Sequence, residues 1–169
     1  RKYLANSNPL VQAAIGGWGV QGTTTVQSGF PLHFGTNSNQ TNSQGGGSRP
    51  NVVSGCNKSV SGSAQSRLGM WFNTACFTAP PAFTYGNEGR TDPNLRSPGI
   101  AQWDFAAVKN FPIAPEARAY VQFRAEFFNI FNRVQFNYPN QTQGNAAFGQ
   151  ITGQQSLPRL VQFALRLNF

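Results

Sequence analysis

No apolar run in this chain of 169 residues approaches the roughly 18 that a membrane-spanning helix requires. If the chain crosses a bilayer it must do so in strands, because only helices and closed barrels satisfy every backbone polar group in hydrocarbon. Acids are scarce too: Glu88, Asp92, Asp104, Glu116 and Glu126 stand against 13 Lys and Arg. None of them falls into a grouping with Ser and His, and no glycine-rich phosphate loop leads from a strand into a helix. A non-enzymatic role with no cofactor is expected. His33 is the lone histidine and lies on a different element from Cys56 and Cys76, the two cysteines, so a metal site is not expected. The chain opens on Arg1 without a charged-then-apolar leader, so any secretion signal is expected upstream or not at all.

The net charge of +8 and the pI near 10.4 raise the question of nucleic acid. The basic residues are scattered over turns and loops, among them Arg49, Lys58, Arg67, Arg90, Arg96, Arg133 and Arg159, with no basic helix or stripe. The excess reflects a shortage of acids, and nucleic acid is not an expected partner.

What the chain has is glycine, 18 residues, phenylalanine, 15, and many Asn, Gln, Ser and Thr. That composition favours strands and turns over exposed helices. The last eleven residues put Val161, Phe163, Leu165, Leu167 and Phe169 on one face, against Leu160, Gln162, Ala164, Arg166 and Asn168 on the other. Side chains alternate across a strand, so one face meets hydrocarbon or a core and the other meets water. A third strand over 118–129 repeats the pattern, with Ala119, Val121, Phe123, Ala125 and Phe127 opposed by Tyr120, Gln122, Arg124 and Glu126. A second, over 101–111, sets Trp103, Phe105, Ala107 and Phe111 outward and Gln102, Asp104 and Asn110 inward. Lys109 interrupts its outward row near the strand end, where a long cation can reach the headgroups. The first strand is expected over 17–34, with Trp18, Val20, Val26, Phe30, Leu32 and Phe34 on even positions and bends at Gly22 and Gly29. Before it, Asn8-Pro9 could cap a short helical turn reaching Ile15.

The connections run long, short, long: 35–99, the Pro112–Ala117 turn, and 130–158. In a transmembrane barrel the short turns lie on the periplasmic side and the long loops outside, and four strands with this sequence of connections fit that parity. The loop over 35–99 is too long for an ordinary connection; Met70, Trp71, Phe72 and Phe77 with Pro80-Pro81 could fold part of it. Four strands cannot close a barrel, since the smallest use about eight, so other strands must complete the wall. The opposing possibility is a water-soluble β-sandwich with adhesive or carbohydrate-binding function, in which Trp71, Phe72, Phe77 and Tyr85 stack on sugar rings.

The series Gly16-Gly17-Trp18, Val26 to Pro31, Arg49-Pro50-Asn51, Trp71-Phe72-Asn73, Phe105 to Phe111, Gln122 to Asn132, Phe148-Gly149 and the closing Gln162 to Phe169 resembles the carboxyl-terminal end of outer-membrane TonB-dependent receptors. Within them it is similar to the Oar-like subset that carries a carboxypeptidase-regulatory-like domain. The resemblance implies an all-β fold, four antiparallel strands of a 22-stranded transmembrane barrel. It further implies a plug and further strands in the same polypeptide, coupling to TonB, and energised uptake of a scarce nutrient across the cell outer membrane. It also matches the row Val161, Phe163, Leu165, Leu167, Phe169 to the signal read by the barrel-assembly machinery through β-strand addition. A passive porin-like barrel is the other membrane possibility.

Two further expectations concern side-chain pairs. Cys56 and Cys76 form a disulfide worth about 3 kcal/mol for a loop near 20 residues in an oxidising compartment. Asp104, Gln122, Arg124, Glu126 and Arg166 make a polar network facing the lumen, with Asp104 opposite or diagonal to Arg124 across the hairpin.

Overall fold

The computed structural model describes residues 8, 11, 14–44, 47–114 and 119–169. Val11, Ala14 and Ile15 are helical whereas Asn8 is not, and the Pro9, Leu10 and Ala13 portion of the expected helical turn lies outside the described residues. So does residue 115–118 of the hairpin turn.

Eight strands follow among the described residues: β1 Trp18–Gln27, β2 Gly35–Thr36, β3 Asn51–Val52, β4 Phe77–Thr78, β5 Ile100–Ala114, β6 Ala119–Phe128, β7 Thr142–Gln143 and β8 Leu160–Asn168. Besides the helical residues at 11, 14 and 15, two short 3-10 turns, Gln65–Arg67 and Thr74–Cys76, accompany them among the described residues. The chain divides into two compact units, one made of Arg1–Val26, Ala101–Arg133 and Leu157–Phe169, the other of Gln27–Ile100 and Val134–Ser156.

The first unit is a single sheet in the order β1-β5-β6-β8. β5 pairs antiparallel with β6, and β6 with β8. Gly19 of β1 approaches the Val108 carbonyl and Gly22 that of Asp104, so β1 ascends as β5 descends. β5 continues through Pro112 to Ala114 across an irregularity at Pro112 and Ala114. This is longer than the expected strand, because a proline near a bulge forfeits no ladder hydrogen bond. At the other end of the hairpin Asn129 stops β6. Its φ of 52° is one that Asn tolerates, and its side chain closes the turn by accepting from Arg133 N and donating to Arg133 O, both at 2.9 Å.

β1 ends at Gln27 and does not reach Phe34. Residues 30–32 stay extended but pair with 95–97: Ser97 N donates to Phe30 O at 2.8 Å and Leu32 N to Leu95 O at 2.9 Å. A methyl group on Gly29 would overlap the Ser97 backbone, so glycine is what lets the chain leave the sheet here. Alternation runs on past the break because Leu32 and Phe34 are buried in the second unit's own core.

That core comprises Leu32, Phe34, Trp71, Phe72, Cys76, Phe77, Leu95 and Ile151, with Phe136 and Phe148 packed against it. Rings meet edge-on, Phe34 to Phe72 at 5.0 Å between centroids and Phe72 to Phe148 at 5.1 Å, the arrangement the aromatic quadrupole favours. Both long loops therefore contribute to one core. They are also joined by the parallel pairing of β2 with β7, while β3 pairs antiparallel with β4. Met70, expected in the cluster, points to solvent. Cys56 and Cys76 are bonded to each other across 20 residues, with Cys76 inside the core. Trp71, Phe72 and Phe77 are at most 5% exposed, so none can stack on a sugar; burial of the rings is what folds the loop.

One ion pair is built into this unit. Asp92, wholly buried, is paired with Lys58 and accepts from Asn94 N at 2.8 Å and Leu95 N at 3.0 Å. A buried charge stripped of its partner costs about 3–5 kcal/mol. Lys58→Met is accordingly expected to destabilise the unit by about 3 kcal/mol, seen in the intact protein as roughly hundredfold faster hydrogen exchange at residues 92–97.

Candidate functional site: the two faces of the sheet

Register decides what each face presents. Across β5, β6 and β8 the pairs are Phe111, Val121 and Leu167; Lys109, Phe123 and Leu165; Ala107, Ala125 and Phe163; and Phe105, Phe127 and Val161. Trp18 of β1 joins this face, its ring 6.1 Å from that of Phe123, and Phe123 stacks on Phe163 at 6.1 Å. The result is an apolar surface running over all four strands. It lies open: Val20 is 69% exposed, Phe163 65% and Leu165 73%. Exposed apolar surface of this extent marks a face made for another apolar phase or partner. A soluble sandwich would have buried it under a second sheet.

Lys109 sits in the apolar row yet is 4% exposed. It does not reach outward as the sequence led one to expect. Its Nζ donates to the Ala14 carbonyl at 3.0 Å and lies 5.2 Å from the Trp18 ring and 5.1 Å from the Phe111 ring. Trp18 Nε1 donates to the same carbonyl at 2.9 Å. The charge is thus covered by a backbone dipole and two π faces, an arrangement that removes it from an apolar surface. The position of Ala14 gave no signal of this in the sequence.

The opposite face carries the polar row. Asn110, Gln122 and Arg166 stand abreast, as do Val108, Arg124 and Ala164, and Ala106, Glu126 and Gln162. Gln122 Nε2 donates to Asn110 Oδ1 at 3.1 Å, and Arg124 Nη2 to Glu126 Oε1 at 2.6 Å along the same strand. With both partners partly exposed, this ion pair contributes a fraction of a kcal/mol at most, about 0–1. Asp104 does not join them. Because β5 runs three residues past Phe111, Arg124 faces Val108 and Asp104 lies farther along, where it accepts from Asn129 N at 2.8 Å and Gln102 Nε2 at 3.1 Å. Asp104 anchors the end of the hairpin, and Arg166 is beside Gln122.

β1 and β8 each have a strand partner on one side only among the described residues. The two outer strands of this sheet therefore offer rows of backbone N–H and C=O groups for further strands to pair with.

In the loop unit, burial pushes the Glu88 carboxyl above the usual glutamate range, reinforced by Asp92 and opposed by Lys58, the Gly89 N–H and Arg49. A raised acid contributes stability that is full below the ordinary glutamate value and is lost as pH rises through the raised one. Glu88→Gln is expected to remove this loss, so that unfolding of the unit, followed from mildly acidic to neutral pH, varies less with pH in the variant than in the parent.

No group of three or more His, Cys, Asp or Glu among the described residues is placed to hold a metal. Neither a curated protein nor a solved structure matches the chain. The family model described as the outer membrane beta barrel domain matches residues 1–162. Sheet and match agree, and the chain belongs to the outer membrane beta barrel domain family, which places it in the outer membrane of a Gram-negative-type envelope.

Proposed function

We propose that this chain is the carboxyl-terminal wall and outer loops of a TonB-dependent receptor that takes up a scarce nutrient without itself catalysing a reaction. The observation that carries the reading is the uncovered apolar face across four strands whose two outer edges have no further strand partner among the described residues. An open sheet in hydrocarbon leaves backbone groups unpaired at several kcal/mol each, so further strands of the same polypeptide would flank β1 and β8. A plug inside them would meet the row of Asn110, Gln122, Arg124, Glu126 and Arg166, and outer-membrane lipid the row of Trp18, Phe123 and Phe163. The coupling to TonB would lie in the amino-terminal part. The free edge of β8, with Val161, Phe163, Leu165, Leu167 and Phe169 on one face, suits capture by the barrel-assembly machinery through strand addition.

Two experiments on the full polypeptide test this. A cation in the lipid-facing row costs about 2–4 kcal/mol near the bilayer midplane, whereas one in the lumen does not. Leu165→Arg is expected to deplete the folded, detergent-extractable form in outer-membrane fractions, and Gln162→Arg to leave it near the parental level; equal loss in both would sink the assignment of faces. Transport class is read separately. The purified protein is expected to stay electrically silent in planar bilayers, and a steady open conductance would identify a passive pore instead.

A further inference from the structure

Phe83 is the one large apolar side chain held at positive φ among the described residues, at 62°. It occupies the third position of a hydrogen-bonded turn, with Thr84 N donating to Pro81 O at 3.2 Å and Thr84 Oγ1 to the same oxygen at 2.7 Å. Glycine or asparagine normally fills that place, because a Cβ is crowded there. Strain of this kind is usually offset by burial of the side chain. Here the ring is 78% exposed, as is that of Tyr85 two residues on. The turn is braced rather than loose, since Phe83 N donates to Gln40 O at 2.6 Å. A strained backbone that displays an aromatic ring to water is not explained by packing, and outliers of this kind cluster at ligand-binding sites.

The surroundings select the ligand. The segment of Gln40 is held by its own side chains: Gln40 Nε2 donates to Ser38 Oγ at 2.9 Å, Thr41 Oγ1 to Asn39 Oδ1 at 2.7 Å and Asn39 Nδ2 to Ser43 O at 2.8 Å. Residues 34–48 and 68–87 contain no Asp, Glu, Lys, Arg or His. Exposed rings beside amides and hydroxyls, on two stretches that themselves carry no charged side chain and are bordered by Arg49 and Glu88, match a ligand that has apolar C–H faces and many hydroxyls.

We propose that the Phe83–Tyr85 tip, next to the Ser38–Ser43 turn, is a binding site for a neutral glycan, whose sugar rings stack on the aromatic side chains while the amides bond its hydroxyls. The site goes beyond the transport reading and stands equally for a plugged receptor or an open pore. Its test measures binding alone. The detergent-solubilised full polypeptide is passed over immobilised neutral glucans, mannans, galactans and xylans, and over vesicles of anionic phospholipid. At least one neutral glycan is expected to retain it. Phe83→Gly should weaken that binding by about tenfold, the scale of one lost stacking contact, while hydrogen exchange in the unit's core stays as slow as before, because glycine suits this φ. Tyr85→Ala should weaken it as well. The proposal is overturned if no glycan retains the protein, if Phe83→Gly binds like the parent, if that variant loosens the core, or if the ring-dependent retention is on vesicles.

Discussion

Hydrocarbon offers no partner to an unpaired amide, and the first unit is organised around that constraint. Every β6 residue from Tyr120 to Phe127 has neighbours on both sides, in β5 and β8, so the sheet's centre is self-sufficient and its need is confined to β1 and β8. The alternation of side chains then does the rest. With backbone groups consumed in the ladder, one row is free to be Phe, Val, Leu and Trp, and the opposite row free to be Gln, Arg, Glu and Asn. Even the exception obeys the rule, since Lys109 is covered by the Ala14 carbonyl and the Trp18 and Phe111 rings rather than left bare.

The second unit meets the opposite demand. A connection as long as residues 28–99 cannot draw order from a strand ladder, and in water it must bury apolar area of its own or stay unfolded. It does so with a cluster of Phe rings, the Cys56–Cys76 bond and the Lys58–Asp92 pair. The shorter loop alone could not supply such a core; it enters by lending Phe136, Phe148 and Ile151.

Much of this was legible in the residues. The dyad rows of β6 and β8, the tight hairpin and the class of fold follow from period-two alternation, which is a direct imprint of strand geometry. Alternation failed where it outlived the sheet: Phe30, Leu32 and Phe34 keep the rhythm of β1 after Gly29 has turned the chain into the loop core. The register at Asp104 is not legible in the residues, because whether Pro112 ends a strand or rides through a bulge is decided by the partner strand. Trp71, Phe72 and Phe77 read equally as stacking rings or as core, and composition cannot tell a displayed ring from a buried one. The conformation of Phe83 left no trace at all, since backbone angles at a turn are not written in the side chain that bears them.

The loop core is shared by two stretches of chain separated by the whole β5–β6 hairpin. Neither can therefore drift independently during evolution: a replacement at Phe148 is felt at Phe34 and Phe72, whose rings it touches. Surface loops of barrels are ordinarily the fastest-varying parts of such proteins because each is its own affair. Here diversification of the loops would be channelled to positions outside the common core, leaving inheritance of the pair as a single block.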